Sequence, residues 1–127
     1  MKNLYSLLLL LLLFSLYTTS LYSTQADSLR LTWENEELTD SLRFAALDEF
    51  YDLFSLVLPD STLNVLDYYH KLAISKGADR QVYRSANKKG NILRLQNQTD
   101  KARTHYNEAL IIAKKINGTV EKKIILE

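Results

Sequence analysis

The chain has no cysteine among its 127 residues. That excludes disulfides, thiolate metal sites, a cysteine nucleophile and a lipid anchor on cysteine. Its three glycines stand far apart, at 77, 90 and 118, so no glycine-rich loop can cradle a phosphate. The single proline, Pro59, excludes a polyproline spacer. An excess of charge is missing too. Sixteen Lys and Arg against fifteen Asp and Glu leave a formal net charge of +1, with neither an overall basic signature for nucleic acid nor an acidic tail. Histidine is limited to His70 and His105. His105 and Glu108 share a helical face, but a lone pair does not make a metal site. No nucleophile, base and acid can be matched to a supporting motif. The sequence therefore leads us to expect no catalytic residue, no metal and no cofactor, and a chain long enough for one small domain.

What is present begins with a leader. Lys2 is followed by an apolar run over residues 4–17 that centres on seven consecutive leucines, Leu7 to Leu13. A cation, an apolar stretch and then small polar residues (Thr18, Thr19, Ser20) make the pattern of a secretory signal peptide. Residues 1–26 are assigned to it, with cleavage after Ala26 or after Ser20. The alternative is an uncleaved anchor over residues 4–22 in an inner membrane, since a span needs about 20 apolar residues. Both readings place the rest of the chain outside the cytoplasm, periplasmic or extracellular, because Lys2 stays inside. A membrane is a partner only if the leader stays attached.

Beyond the leader, apolar residues recur at helical spacing and nothing alternates with period two. The expected class is all-α. A short helix is predicted over 27–37, carrying Leu29 and Trp33, within an N-terminal segment 27–40. Thr39 and Asp40 should cap a helix over 41–57. Asp60 should cap the next, which ends at Gly77, a natural left-handed C-terminal residue. Another is expected over 79–96, then a turn at 97–100 capped by Asp100. A last full helix, 101–116, should stop before Gly118, leaving a stub over 120–127. Short turns make neighbouring helices antiparallel.

Laid over itself at an offset of 40, the chain pairs Ala46 with Ala86, Leu53 with Leu93, Asp60 with Asp100, Leu66 with Tyr106 and Ala73 with Ala113. Gly90, Ala102, Tyr106 and Ala109 then form a small–large–small set. Gly90 lets one helix approach, Ala102 and Ala109 open the facing helix, and Tyr106 fills the gap. The run of Gly90 to Leu93, Asp100 to Arg103 and Tyr106 to Leu110 resembles the tetratricopeptide repeat. That resemblance implies a short solenoid of antiparallel hairpins: two over 41–122, and the start of an incomplete third over 123–127. Ala86, Lys89 and Lys114 depart from the family pattern. So does the first hairpin, with Phe50 at the offset of Gly90 and Thr62 at that of Ala102. Asp27 to Leu29 with Trp33, Pro59 to Ser61 and Ser75 to Gly77 are also similar to the N-terminal extracytoplasmic sensor regions of bacterial membrane-bound adenylate/guanylate cyclases. Related arrays precede sensor histidine kinases. No catalytic residue of either family can be carried over.

Neutrality conceals a split. Residues 27–69 hold ten acids and two bases, while residues 70–127 hold thirteen bases and five acids. Opposite halves suit an acidic partner or head-to-tail self-association that weakens as salt rises. The repeat match places Arg84, Asn87, Lys88, Asn91 and Arg94 on or beside a concave groove, where Arg and Asn suit a peptide carboxylate. The first hairpin's equivalent face, Phe44, Leu47, Tyr51 and Phe54, is apolar, with a polar stripe at Asp48, Glu49, Asp52 and Ser55; so apolar a helix needs cover, which Trp33 can give. Ala109, Ile112, Ala113 and Ile116 are expected to lie largely uncovered. The function read from sequence is an exported, non-enzymatic module that binds protein or peptide. The alternative is a sensory region of a membrane-bound cyclase or histidine kinase whose catalytic domain lies outside this chain.

Overall fold

The computed structural model describes the backbone of residues 1–126 and the side chains of residues 1–118. Among these the chain is all-helical: α1 (Lys2–Glu34), α2 (Asp40–Phe54), α3 (Pro59–Ser75), α4 (Asp79–Leu95) and α5 (Thr99–Leu126). It divides into two compact units, residues 1–46 and 47–127, and the division falls inside α2.

In the first unit, α1 runs for 33 residues without a break, a rise of about 50 Å. The leader and the helix expected over 27–37 are one element. No glycine or proline interrupts it, and the hydroxyls that follow the leucines fold back onto their own helix. Thr18 donates to the Ser15 carbonyl at 2.9 Å, Thr19 to Leu16 at 2.9 Å and Thr24 to Ser20 at 3.0 Å. These bonds satisfy the polar groups without unwinding the backbone. By length and composition α1 is long and apolar enough to cross a membrane, and its apolar stretch is unburied. At its far end Leu29 and Trp33 are buried. The buried Arg43 donates from Nε to the Trp33 carbonyl at 2.8 Å. That bond ties the start of α2 to the end of α1 and satisfies one of the carbonyls a helix leaves open. Thr39 Oγ1 accepts from the Leu42 amide at 3.4 Å, the expected cap of α2.

The second unit holds α3 to α5 and the end of α2. Helix α2 stops at Phe54 rather than 57, because Pro59 disfavours the helical conformation at Leu58. Leu56, Val57 and Leu58 stand exposed in the turn. Asp60 is not a cap. Pro59 opens α3, and Asp60 lies in its first turn, where its charge still suits the helix dipole. Asp79 and Asp100 occupy first turns in the same way. Antiparallel packing brings the start of α3 beside the end of α4, where Gln96 donates to Asp60 at 2.9 Å. It also brings the start of α4 beside the end of the described part of α5, where Lys115 pairs with Asp79 at 2.9 Å.

Two turns share one geometry. Gly77 has φ +61° and Asn97 φ +60°. The Ala78 amide donates to Ala73 O and the Gly77 amide to Ile74 O; Gln98 and Asn97 repeat this on Leu93 and Arg94. Both are Schellman closures, which need a left-handed residue at that position. Gly118 makes no such turn. Helix α5 continues through it to Leu126, so neither the stop expected after 116 nor a separate stub from 120 is present. No turn sets residues 123–126 apart as a new repeat. The side chains of Ile124, Ile125 and Leu126, and all of Glu127, lie outside the described residues.

The hairpins match, with one shift. The second helices keep the 40-residue offset: α3 starts at Pro59, α5 at Thr99, and Thr62 and Ala102 are both buried. The first helices match in burial at 39. Buried Arg43, Ala46, Leu47, Phe50 and Phe54 correspond to buried Val82, Ser85, Ala86, Lys89 and Leu93. The pairing of Ala46 with Ala86 and Leu53 with Leu93 is therefore out by one, and Tyr51, not Phe50, stands where Gly90 does. The cause is spacing within the hairpins: Phe54 and Pro59 stand five residues apart, whereas their counterparts Leu93 and Thr99 stand six apart, because α4 runs on to Leu95 while α2 stops at Phe54.

A candidate binding groove and a buried histidine cluster

Where α4 meets α5, a Cβ built on Gly90 would come within 2.5 Å of Tyr106 Cε1. The ring occupies the space a side chain would need, so α4 reaches its approach only with glycine there. Ala102 and Ala109 are buried on α5, and Tyr106 Oη donates to Asn91 Oδ1 at 2.8 Å. Ala109 is thus covered rather than open; Ile112, Ala113 and Ile116 keep partial exposure.

Helices α2 and α4 border an open pocket of about 340 Å³. Helix α2 contributes Asp48, Tyr51 and Asp52; α4 contributes Tyr83, Arg84, Asn87, Lys88 and Asn91. Four of the five residues chosen from sequence line it, while Arg94 is exposed outside it. Spacing explains this: 84, 87, 88 and 91 fall on one helical face.

The sequence reading missed the charge state of this wall. Arg84 Nη1 lies 3.0 Å from Asp48 Oδ2, and Lys88 Nζ lies 3.4 Å from Asp48 Oδ1 and 3.7 Å from Asp52. Lys88 also sits 3.9 Å from the centre of the Tyr51 ring, a cation–π contact. Tyr69, fully buried on α3, donates its hydroxyl to Asp48 at 3.3 Å. Burial, followed by the Asp48 charge, holds the Tyr69 phenol well above its ordinary range. Two cations meet two carboxylates, so the wall is not the open clamp for a ligand carboxylate that Arg84 and Lys88 suggest alone. Asn91 is also engaged, by Tyr106 and by Tyr51 at 3.5 Å. Tyr83 and Asn87, both partly exposed, also line the wall outside these ion pairs.

The two histidines, far apart in sequence, converge on one carboxylate. His70 Nε2 lies 2.9 Å from Glu108 Oε1, and His105 Nδ1 lies 3.8 Å from Glu108 Oε2. Lys89 pairs with Asp67 at 2.6 Å. His105 Nδ1 is buried without a hydrogen bond. Burial first, then the Lys89 charge, lowers the His105 pKa. His70 Nδ1 also lies 2.7 Å from Ser85 Oγ. Ser85, His70 and Glu108 thus form the serine–imidazole–carboxylate line that hydrolases use. Here Ser85 has no exposed surface and its hydroxyl donates to Val82 O at 2.9 Å. No substrate reaches it while the helices stay packed, and the line cross-links α3, α4 and α5. Among the described residues no group of three or more His, Asp or Glu has the arrangement of a metal centre.

Comparison with known protein families, curated proteins and solved structures finds no match.

Proposed function

We propose that the chain is an exported or membrane-tethered module of tetratricopeptide type that binds a protein or peptide segment in the α2–α4 groove and carries out no chemistry itself. The single observation behind this reading is the pocket wall. Residues that helical spacing selects on α4 line an open concavity opposite residues of α2. Its aromatic faces (Tyr51, Tyr83), a side-chain amide (Asn87) and balanced charge suit a mixed polar and apolar chain better than a single anion. The repeat reading draws support from the hairpins' 39- and 40-residue registers, the two Schellman closures and the fit of Tyr106 over Gly90. Apolar α1 favours a tether and supports the second reading, a sensory region of a membrane-bound cyclase or histidine kinase. Head-to-tail self-association through oppositely charged halves belongs to the same proposal.

A random peptide library displayed on phage, selected on the full chain in phosphatidylcholine nanodiscs, tests the groove. Selected peptides are expected to bind Asn87→Ala and Tyr83→Ala at least about tenfold more weakly. Equal affinity for both variants sinks the groove. N-terminal sequencing of the exported protein tests the leader: a start at Asp27 or Leu21 shows cleavage, and a start at Met1 shows a tether.

A further inference from the structure

We infer that the α4–α5 face carries a second binding site, built for an apolar organic carboxylate: the C-terminal residue of a peptide or a free acid of similar shape. A separate open pocket of about 380 Å³ lies between these helices, lined by Arg80, Tyr83, Arg84, Ala113, Ile116 and Asn117. Its floor is apolar, from the Ala113 and Ile116 side chains and the Tyr83 ring. Arg80 and Arg84, one helical turn apart, bring two guanidiniums to the lining, that of Arg84 pairing also with Asp48 at 3.0 Å. A carboxylate with an apolar body matches both, since arginine binds carboxylates through paired N–H donors.

Charge identifies the occupant's sign. Among the described residues no carboxylate lines this pocket, whereas two line the groove beyond Tyr83 and Arg84. The nearest acid in sequence, Asp79, is taken by Lys115 at 2.9 Å. Asp48, which pairs with Arg84, is shared with Lys88 and with the Tyr69 hydroxyl. Arg80 is exposed and belongs to no ion pair among the described residues. An open pocket that size holds one residue-sized side chain with its carboxylate. The anion-binding character that sequence alone assigned to the groove therefore belongs to the N-terminal end of this α4 face, where it meets α5.

The site does not rest on the groove reading, because Arg80 and Ile116 line this pocket only. The test uses the full chain in phosphatidylcholine nanodiscs with ¹³C-methyl-labelled Ala and Ile, following the Ala113 and Ile116 methyl signals. The probes are N-acetyl-leucine, its amide N-acetyl-leucinamide, an acetylated tetrapeptide ending in a free leucine carboxylate, and inorganic phosphate. Saturable shifts with the two carboxylates, at least about tenfold weaker with the amide and with phosphate, are expected. Tighter binding of the tetrapeptide assigns the site to chain termini, and tighter binding of N-acetyl-leucine to free acids. Arg80→Gln should weaken both carboxylates about tenfold with an unchanged circular dichroism spectrum, and Ile116→Glu should abolish their shifts at Ala113. Equal response to acid and amide, phosphate binding as strong as the carboxylates, or an Arg80→Gln variant that binds like the native chain overturns the site.

Discussion

The two faces of α4 meet their neighbours by different means. Toward α5 it presents Gly90, and closeness does the work: a tyrosine ring lies where a methyl group would be. Toward α2 it presents Arg84 and Lys88, and charge does the work, through Asp48 and Asp52. Steric fit is short-ranged, unaffected by salt and intolerant of one added carbon. Partly exposed ion pairs are weak and screened. Helix α4 is therefore held firmly on one side and more loosely on the side that carries the groove.

The largest effect should come from breaking the close side. Gly90→Ala is expected to cost about 1–3 kcal/mol in urea unfolding followed by circular dichroism. Combined with Tyr106→Ala, the loss should be smaller than the sum of the single losses, because the clash goes with the ring. By contrast a Cβ added at Gly118, also helical, would meet nothing within 4 Å. Gly118→Ala should stabilise by up to about 1 kcal/mol. Opposite signs at the two helical glycines separate close packing from helix propensity, and equal signs would remove the distinction.

Next come the two closures that fix the ends of α3 and α4. Gly77→Ala should cost about 1 kcal/mol, because φ +61° suits glycine. A Cβ there meets nothing within 4 Å, so the cost is conformational alone. Asn97→Gly should gain a few tenths of a kcal/mol at the matching position, since asparagine tolerates that region less well than glycine. Thermal melts of the two variants moving in the same direction would show that the turns are not equivalent.

The smallest expected effect concerns acid. His105 has a lowered pKa in the folded chain, so the unfolded chain takes up this proton first as pH falls. Its contribution is fully present above the ordinary imidazole value of about 6.5 and is lost as pH falls from there through the folded value. Lys89 and His70 oppose the added charge, while Glu108 and Asp67 favour it. In urea titrations at successive pH values, His105→Gln should flatten this part of the profile. An unchanged slope would assign the acid sensitivity to other groups.

Much of this architecture is legible in the sequence because it depends on local spacing. Gly77 marks a turn because it stands between two periodic apolar runs. Arg84, Asn87, Lys88 and Asn91 share a face because the helix repeats every 3.6 residues. Gly90 and Tyr106 lie 16 residues apart across one short turn, within reach of hairpin geometry. What escapes is set by contacts between distant segments. Asp48 neutralises Arg84 from 36 residues away, and Glu108 collects His70 from 38 away. One extra residue between the matched positions of α4 and α5 shifted the whole α2 alignment, placing Tyr51 rather than Phe50 at the position of Gly90. The continuous α1 was hidden by polar residues after the leucines, which suggest an end until their hydroxyls are seen bonded to the preceding turn.

Asp48 has a consequence that reaches beyond packing. Three donors, from Tyr69, Arg84 and Lys88, meet at its carboxylate. Asparagine at 48 would keep an acceptor for Tyr69 but leave two cations facing the groove with only Asp52 beside them. An aspartate codon becomes an asparagine codon by one base change. If the groove binds ligands as proposed, a preference for neutral ligands is separated from one for acidic ligands by a single mutational step, and descendants of one ancestral chain would diverge in what they capture well before they diverge in shape.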